Sequence, residues 1–541
     1  MAGKEKWKKK TSILLVVPKY CDTNEIDYNY LFPLGIGYIS SVLKKEGYDV
    51  TCLNMNHCKG GIREIISREL DKKKFDFVGT GHTGIGYPVV KKILNAVREH
   101  KSKPLIVLGG QIVTSEPKLM FENLRPDFAV IGEGEETIIE LIEAVKKKNL
   151  RRVKGIVFWD KKGNAVYNEK REYVKNIDKL PYPDFEGFGL NEFLNHMCAN
   201  RGSYNDVFDY PRAYPILCSR ACQFQCTFCY RTLGEKYRER SIDEVMKEIE
   251  SVVKKYNINM IRIYDDLFAV KKERIYEFCK RIKELSKNIG RELKWSCQLI
   301  VSSNLDEEML QVMKDTGCYL VAYGFESFSP EVLRSMKKPI TPEQIDKALK
   351  LTLKAGLGIQ ANFIFGDIAE TNETSARTLD YWKKNCKGQV GLGFIQPYPG
   401  SEIYHHCLKK GVIKDKLYFI EHEIPHDILL NMTDKMSDKE IQKLFDRLVF
   451  LRNKYTHHTS PYYVKHMQDD RYEIKFICPF CKSHMHYKNY HLQGKYIYNS
   501  FVPCRKCHMR FFVCSPLIKM ARKFYFLAPI KKRVMKVFDR E

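Results

Sequence analysis

The sequence contains no run of eighteen apolar residues, so it predicts no segment that spans a membrane. The basic stretch at 1–10 is followed by only a short apolar run at 13–18 and by no cleavage-like site, so we expect a cytoplasmic protein. No G-x-G-x-x-G follows the first predicted strand, at 13–17, which disfavours a nicotinamide cofactor. These absences exclude a membrane-spanning protein and the common dinucleotide-binding enzymes.

The charge balance is strongly basic, with 91 lysines and arginines against 66 aspartates and glutamates and a formal net charge of +25. Such a charge attracts nucleic acid, anionic membranes or anionic small molecules, although a lysine-rich solvated surface explains it equally well. A chain of 541 residues is too long for one core, so we expect two large domains with smaller additions. Eighteen cysteines in a chain expected to be intracellular indicate metal or cluster ligation.

Three of the cysteines form a C-x3-C-x2-C run, at Cys222, Cys226 and Cys229. Three thiolates in one loop can bind three irons of a four-iron cluster and leave the fourth iron open. A disulfide or a zinc site fits this spacing less well, because structural zinc takes four protein ligands. Cys218 stands four residues before Cys222 but does not complete the pattern, so we expect it to be a buried thiol at a strand end.

The motif resembles the cluster loop of the radical S-adenosylmethionine enzymes, which carries an aromatic residue before the last cysteine, here Phe228. In that family the open iron chelates S-adenosylmethionine, and electron transfer cleaves it to a 5′-deoxyadenosyl radical. Further family-like segments recur in the right order, at 261–266, 323–327, 362–366 with 370–371, and 396–401. The resemblance implies a [4Fe–4S] cluster, with four residues near the S-adenosylmethionine: Asp265, Asp266, Glu326 and Gly366. Solvated or helix-capping acids are the alternative for the carboxylates.

The first 150 residues alternate short apolar runs with longer amphipathic stretches. Five strands are predicted, at 13–17, 49–53, 75–79, 105–108 and 128–131. This alternation predicts a doubly wound, Rossmann-like parallel sheet that binds its ligand at the carboxyl ends of the strands. Glycines near those ends let a large flat ligand approach the backbone, namely Gly35, Gly109, Gly110, Gly132 and Gly134.

Segments 32–38, 107–111 and 131–137 resemble the cobalamin-binding domain of one radical S-adenosylmethionine class, the group of C-methyltransferases and the anaerobic magnesium-protoporphyrin cyclase. The resemblance implies bound cobalamin, contacted by these glycines together with Thr83 and Glu133. The older cobalamin motif D-x-H-x-x-G is absent after the first strand. We therefore expect no protein histidine on the cobalt, with His57 and His82 as ordinary loop residues.

Six further strands alternate with helices, at 213–217, 260–264, 295–299, 319–325, 359–365 and 392–396. Six such units predict a partial (β/α)6 TIM-type barrel with its active site at the carboxyl ends of the strands. The expected organisation is α/β, with a cobalamin-binding domain at 1–150, a linker at 151–210, a radical S-adenosylmethionine barrel at 211–410 and a helical extension at 411–470. A metal module at 471–515 and a basic amphipathic helix at 516–541 follow.

The metal module is predicted from two C-x2-C pairs, Cys478 with Cys481 and Cys504 with Cys507. Such pairs indicate a small zinc-ribbon-like module, with rubredoxin-like iron or a second cluster as alternatives. In the last segment, at 516–541, lysines and arginines alternate with large apolar residues. This pattern suits a peripheral contact at the inner face of a membrane, and packing on the protein's own surface explains it equally well.

These observations predict an enzyme that cleaves S-adenosylmethionine and functionalises an unactivated carbon of a small-molecule substrate, most simply by methyl transfer. Cobalamin-assisted cyclisation, oxidation or carbon-carbon coupling is the first alternative. We expect a lipophilic substrate and an electron donor such as flavodoxin or ferredoxin.

A transfer-RNA methylthiotransferase is a second alternative, motivated by the positive charge. Enzymes of that kind carry three cysteines for another cluster in the N-terminal domain, where Cys21, Cys52 and Cys58 have no such arrangement. We therefore do not expect nucleic acid as a partner. A non-enzymatic sensor is a third alternative, and the complete set of barrel segments argues against it, because a sensor needs no site for S-adenosylmethionine.

Overall fold

The computed structural model describes residues 7–200, 207–231, 233–302, 304–426, 428–491 and 500–523. The chain divides into two compact units. The first unit combines Met1–Asn195, Ser219–Glu244 and Gln396–Leu429, and the second combines His196–Cys218, Val245–Ile395 and Leu430–Glu541. The cysteine loop and the segment after the last barrel strand therefore group with the N-terminal sheet. The predicted boundaries placed the loop and residues 396–410 in the barrel and residues 411–429 in the helical extension.

The first unit contains a seven-stranded sheet. Its strands are β1 (Ser12–Val17), β2 (Asp49–Asn54), β3 (Phe77–Gly81), β4 (Leu105–Gly109), β5 (Phe128–Val130), β6 (Ile156–Trp159) and β7 (Ala165–Tyr167). The first five pair in parallel, and β6 and β7 add to β5 in antiparallel fashion. All five predicted strands are confirmed within two residues, whereas β6 and β7 lie in the expected linker and extend the same sheet.

Helices cover this sheet because their apolar residues recur at helical spacing. The helix Ile62–Lys72 buries Ile62, Ile65, Ile66 and Leu70 and leaves Arg63, Glu64 and Arg68 exposed. The other helices of the unit are Leu34–Lys45, Tyr87–Glu99, Gln111–Ser115, Pro117–Leu124, Glu135–Lys147, Leu190–Asn195, Glu402–Lys410 and Lys416–Tyr418. The strand order begins β2-β1-β3, so the topology reverses between β1 and β3. Sheets of this kind bind ligands in the crevice at that switch point.

The second unit contains a six-stranded parallel sheet. Its strands are β8 (Ala213–Ile216), β11 (Met260–Ile263), β12 (Lys294–Gln298), β13 (Cys318–Glu326), β14 (Gly358–Phe365) and β15 (Val390–Phe394). They follow the order β15-β14-β13-β12-β11-β8, which leaves β8 and β15 as the two edges within the described residues. All six predicted strands are confirmed, and the sheet is an open barrel of six strands.

Helices connect consecutive strands of the open barrel, namely Ile242–Lys255, Lys272–Asn288, Glu307–Asp315, Pro330–Ser335, Pro342–Lys354 and Asn372–Asn385. Two of these helices begin at a capping box. In this motif the side chain of the capping residue accepts a hydrogen bond from the backbone amide three residues later, and the side chain of that later residue accepts one from the amide of the capping residue. Thr341 and Thr371 form such caps. Ser437 forms a capping box with Glu440 at the start of the helix Asp438–Tyr455.

The C-terminal part of the second unit forms two small sheets. One joins β16 (His458–Thr459), β21 (Arg510–Val513) and β20 (Ser500–Pro503), and the other joins β17 (Tyr463–Gln468), β18 (Arg471–Ile477) and β19 (His484–His491). A common core of buried residues that includes Phe476, Tyr487 and Phe511 links them. This arrangement gives the predicted metal module a small core of its own.

The metal module packs against the amino-terminal ends of barrel strands. His508 Nδ1 lies 2.8 Å from the carbonyl of Gly356, just before β14. Gln389, just before β15, exchanges three hydrogen bonds with Arg510. The module therefore lies at the opposite end of these strands from their carboxyl ends.

Among the described residues, no helix combines the length and the apolar character needed to cross a membrane. Of the predicted amphipathic segment at 516–541, the helix Pro516–Lys523 lies inside the described part, and residues 524–541 lie outside it.

Candidate functional site

The cysteine loop is closed at its base by a two-stranded ribbon. Strand β9 (Ser219–Arg220) pairs in antiparallel fashion with β10 (Arg238–Glu239). Cys226 is buried, Cys222 and Phe228 are half-buried, and Cys229 is exposed. The eighteen cysteines, each in the described part of the chain, form no disulfide, which removes the disulfide alternative for this loop.

Residues 400–403, which follow the last barrel strand, contact the cysteine loop. The amide of Ile403 donates to the carbonyl of Thr227 at 3.0 Å. Gly400 has a φ of +85°, and a Cβ there would collide with the ring of Tyr230, so glycine is required. Thr227 Oγ1 is buried without a hydrogen-bond partner among the described residues. An unsatisfied hydroxyl between the second and third cysteines fits a loop that binds a group with acceptor atoms, such as a sulfide cluster.

Cys218 lies outside the loop, at the end of β8. Its side chain is fully buried, and its amide donates to Asp265 Oδ1 at 2.7 Å. Asp265 is buried, whereas Asp266 is exposed and its carbonyl accepts from Gln298 at 2.8 Å. The two adjacent acids at the end of β11 therefore have different surroundings.

Glu326 ends β13 in a left-handed backbone conformation, with a φ of +58°. Its carboxylate pairs with Lys338 at 3.2 Å and covers Gly324, where a Cβ would collide with both groups. Residues other than glycine seldom adopt this conformation, and such strain is found preferentially at functional sites. Gly366, just after β14, also has a positive φ, of +91°. Because these strands are parallel, Asp265, Glu326 and Gly366 lie at the same edge of the sheet.

Glu370 is a further residue of this edge, to which the sequence interpretation assigned no role beyond its place in a motif. It is 1% exposed and accepts a hydrogen bond from Thr374 Oγ1 at 2.6 Å. Burial, reinforced by the neighbouring Asp367 carboxylate, raises the pKa of Glu370 to about 7. Sequence could not have shown this, because the burial arises from packing after the turn.

The carboxyl edge of the N-terminal sheet presents open glycines. A Cβ on Gly35, Gly109 or Gly132 would meet no atom within 4 Å. Gly110 has a φ of +82° and a ψ of −170°, a combination essentially restricted to glycine. Thr83 is exposed at the start of the short turn after β3. Open backbone at several neighbouring strand ends fits a large flat ligand such as a corrin.

Two predicted cofactor residues have other contacts. Both carboxylate oxygens of Glu133 accept hydrogen bonds from buried arginines, Arg220 and Arg238. A Cβ on Gly134 would lie 3.0 Å from Ile39 Cδ1, so this glycine serves close packing. The sequence predicted neither contact, because Arg220 and Arg238 lie far from Glu133 in sequence and Ile39 lies far from Gly134.

The histidines of the unit also have protein neighbours. His57 Nε2 lies 2.6 Å from the hydroxyl of Tyr30, and its Nδ1 lies 3.3 Å from Glu192. His82 Nδ1 lies 3.0 Å from Thr83 Oγ1, and burial lowers the pKa of His82. The absence of a histidine on cobalt stays a prediction, and these contacts are consistent with it.

The four C-terminal cysteines form the clearest metal-binding geometry among the described residues. The ligand atoms of Cys478, Cys481, Cys504 and Cys507 all lie within 4.8 Å of one another. The Cys478–Cys507 and Cys481–Cys504 Sγ separations are 3.9 and 3.6 Å. A tetrahedron with Zn–S bonds of about 2.3 Å has edges of about 3.8 Å. Thiolates that each bind a different iron of a cluster would be spread more widely.

The two C-x2-C turns have the same backbone geometry. In the first, the amide of Lys482 donates to the carbonyl of Cys478 at 3.1 Å, and in the second His508 donates to Cys504 at 2.9 Å. Lys482 and His508 both have a positive φ, of +61° and +54°. Hydrogen bonds from Cys504 and Cys507 lower the pKa of the Cys478 thiol, which favours the thiolate that a metal requires. Two equivalent turns thus present four sulfurs to one point.

Comparison with known proteins gives two family matches. The model of the radical SAM superfamily matches residues 216–381, and that of the B12 binding domain matches residues 27–142.

An uncharacterized methyltransferase of Pyrococcus horikoshii is 31% identical over 393 residues, which cover 70% of this chain and 79% of the relative. The anaerobic magnesium-protoporphyrin IX monomethyl ester cyclase of Cereibacter sphaeroides is 25% identical, over 64% of this chain and 55% of the relative. The bacteriochlorophyllide d C-8(2)-methyltransferase of Chlorobaculum tepidum is 27% identical, over 63% and 70%.

Solved structures share the fold. The radical S-adenosylmethionine methyltransferase TsrM of Kitasatospora setae, with cobalamin and a [4Fe–4S] cluster bound, superposes with a TM-score of 0.58 at 18% identity. The match covers 73% of this chain and 75% of TsrM. The cobalamin-dependent enzyme OxsB superposes with a TM-score of 0.57 at 21% identity, over 74% of this chain and 55% of OxsB.

Proposed function

The chain belongs to the radical S-adenosylmethionine enzymes that carry a B12-binding domain, and from this premise we propose that it methylates an unactivated carbon of a small molecule. Its cofactors are a [4Fe–4S] cluster, S-adenosylmethionine and cobalamin. When bound, the cluster supplies the electron that cleaves S-adenosylmethionine, and cobalamin carries the methyl group. The observation that carries the proposal is the three-cysteine loop in the same chain as the glycine-lined sheet edge.

Three groups of residues would bind the three cofactors. Cys222, Cys226 and Cys229 would bind three irons through thiolates and leave one iron for S-adenosylmethionine. Asp265, Asp266, Glu326 and Gly366 would bind and orient S-adenosylmethionine from one edge of the barrel sheet. The open backbone at Gly35, Gly109, Gly110 and Gly132, with Thr83, would bind the corrin ring.

Cyclisation or oxidation of the substrate is the second candidate function. The similarity to the magnesium-protoporphyrin cyclase supports it. The experiment is an anaerobic incubation of the loaded enzyme with methyl-labelled S-adenosylmethionine and a lipid extract of the host. Methyl transfer adds one labelled CH2 unit to a product, whereas cyclisation or oxidation removes hydrogens and adds no label. The Cys226→Ala variant, loaded in the same way, serves as the control. Unlabelled products that depend on Cys226 would favour the second candidate.

We propose that the substrate is bulky and lipophilic. Two of the named relatives act on a magnesium-protoporphyrin ester and a bacteriochlorophyllide, which supports this size class. The helix Pro516–Lys523 exposes Leu517 by 72% and Met520 by 54%, which supports a peripheral contact with a membrane that holds such a substrate. A small protein such as flavodoxin or ferredoxin would supply the electron.

We also propose that Cys478, Cys481, Cys504 and Cys507 bind one structural zinc ion. The sulfur separations and the paired turns support a single tetrahedral ion over a second cluster. The position of the module, at the amino-terminal ends of barrel strands, supports a stabilising role away from the chemistry.

A further inference from the structure

Four charged side chains form one buried network in the first unit, namely Glu133, Glu135, Arg220 and Arg238. Arg220 donates to Glu133 Oε1 at 2.8 Å and to Glu135 Oε1 at 2.6 Å. Arg238 donates to the two oxygens of Glu133 at 3.0 and 2.9 Å. The four side chains are only 3% to 8% exposed, so water does not screen these pairs.

The network joins two loops that are distant in sequence. Glu133 follows Gly132 where β5 ends, at the glycine-lined edge of the N-terminal sheet. Arg220 and Arg238 face each other across the β9–β10 ribbon at the base of the cysteine loop. Arg220 stands two residues before Cys222. One guanidinium therefore links the base of the cysteine loop to the edge that carries Gly132.

Stability alone does not account for this arrangement. Removing two charges from water costs several kcal/mol per ion, so buried pairs often stabilise no better than apolar residues of the same volume. Arg220 instead bridges two carboxylates through its two terminal nitrogens, and this planar fork restricts how Glu133 and Glu135 can move relative to the ribbon. The backbone of Val174 adds to the restriction, because its amide donates to Glu133 at 2.6 Å and its carbonyl accepts from Arg238 at 2.7 Å.

We propose that Glu133 and Glu135 are positioning residues that act through Arg220 to keep the cysteine loop at a fixed separation from the Gly132 loop. The inference rests on the proposed function, which puts the cluster on one loop and cobalamin against the other. A fixed separation keeps the cleavage of S-adenosylmethionine and the delivery of the methyl group aligned on one substrate. Neither glutamate touches the reacting atoms in this proposal.

The test uses the full-length enzyme loaded with both cofactors. Glu135→Gln removes one charge and keeps the shape, and Glu135→Asp keeps the charge on a shorter side chain. Arg220→Lys keeps the positive charge but removes the planar fork whose two nitrogens bind two carboxylates. Glu136→Gln is the matched control, because Glu136 is the next residue and also pairs with an arginine, Arg171 at 3.3 Å, but is 59% exposed. Pulsed electron paramagnetic resonance measures the dipolar coupling between the reduced cluster and the cobalt(II) of cobalamin, and hence their separation.

We expect a single narrow distance distribution in the wild type and in Glu136→Gln. The distribution should broaden in Glu135→Gln and Arg220→Lys, while the iron and cobalamin contents stay unchanged. The amount of methylated product per S-adenosylmethionine cleaved should fall about 10- to 100-fold, the loss typical of removed outer contacts around a metal group. Glu135→Asp should give a distance distribution and a product ratio between those of wild type and Glu135→Gln. If Glu135→Gln does not fold, Glu135→Asp and Arg220→Lys together test the proposal.

Wild-type distances and wild-type product ratios in Glu135→Asp and Arg220→Lys would overturn the inference. Failure of the proposed function looks different. In that case the wild type itself would transfer no methyl group, although its two cofactors would still give a measurable separation.

Discussion

The backbone amide of Cys218 donates a 2.7 Å hydrogen bond to Asp265 Oδ1, which ties the end of β8 to the end of the neighbouring strand β11. Arg274 adds to this tie by donating to the carbonyl of Cys218 at 3.1 Å. Both groups are buried, and a buried amide that loses its acceptor costs about 1–3 kcal/mol. Asp265 therefore holds the backbone just ahead of the cysteine loop, in addition to its proposed contact with S-adenosylmethionine.

Alanine at Cys222, Cys226 or Cys229 should abolish cluster binding and the reductive cleavage of S-adenosylmethionine, because each variant removes one of three thiolates. Cys218→Ala should keep the cluster, because the tie to Asp265 uses the backbone amide and not the thiol. Iron content and cluster absorbance of the four variants measure the difference. Loss of iron in Cys218→Ala with retention in the other three would contradict the assignment.

Cobalt(II) cobalamin bound to the enzyme should show no nitrogen hyperfine splitting from a protein histidine in electron paramagnetic resonance. The physical reason is that His57 contacts Tyr30 and Glu192, and that the loop after β1 holds no histidine. Spectra of His57→Ala and His82→Ala should match the wild type. A nitrogen triplet that disappears in either variant would show that the histidine binds cobalt.

The strands of both large sheets could be predicted from sequence, because most of them are short, largely buried apolar runs between turn residues. Strand β1 is buried along its whole length, as central parallel strands are. The cysteine spacings were equally informative, since ligands of one cluster or ion lie close together along the chain.

The partners of Glu133 could not be predicted. Arg220 and Arg238 lie 87 and 105 positions further along the chain, and no local pattern reports a pairing at such a distance. The grouping of Gln396–Leu429 with the N-terminal sheet could not be predicted either, because it also depends on contacts between residues far apart in sequence. It rests on contacts such as Lys416 with Glu116 at 3.2 Å, 300 positions apart.

The C-terminal module should contain one zinc ion per chain and no iron after anaerobic purification. Cys478→Ser or Cys504→Ser should lose the zinc and lower the thermal stability, because metal binding contributes directly to the folding free energy of so small a core. Both variants should still cleave S-adenosylmethionine, because the module lies at the amino-terminal ends of barrel strands, away from the proposed site. Metal analysis and calorimetry measure the two effects. Iron in place of zinc would favour the rubredoxin-like alternative or a second cluster.

Full-length protein should float with anionic liposomes at low salt and dissociate at high salt, because apolar insertion and charge attraction each contribute only part of the binding. Leu517→Ser with Met520→Ser should weaken the binding, since both are large apolar side chains that the helix Pro516–Lys523 exposes. The matched control is Tyr167→Ser, which removes an exposed apolar side chain from β7 in the first unit. Equal flotation of all three proteins would show that this helix does not contact the membrane.

The free energy of unfolding should depend on pH through Glu370. Its pKa lies at about 7 in the folded protein and near 4.5 in the unfolded chain, so the folded state holds the proton more tightly between these values. The protein should therefore lose stability as pH rises from 4.5 to 7, by on the order of 3 kcal/mol, and Glu370→Gln should not show this loss.

Denaturant unfolding at about pH 5 and about pH 8 measures the contribution as the difference between wild type and Glu370→Gln. Glu373→Gln is the control, because Glu373 lies three residues further on, in the first turn of the helix Asn372–Asn385, and is exposed. If wild type and Glu370→Gln lose the same stability between the two pH values, the buried carboxyl does not titrate there. In that case Thr374, which donates to Glu370 at 2.6 Å, stabilises the charged form enough to offset burial.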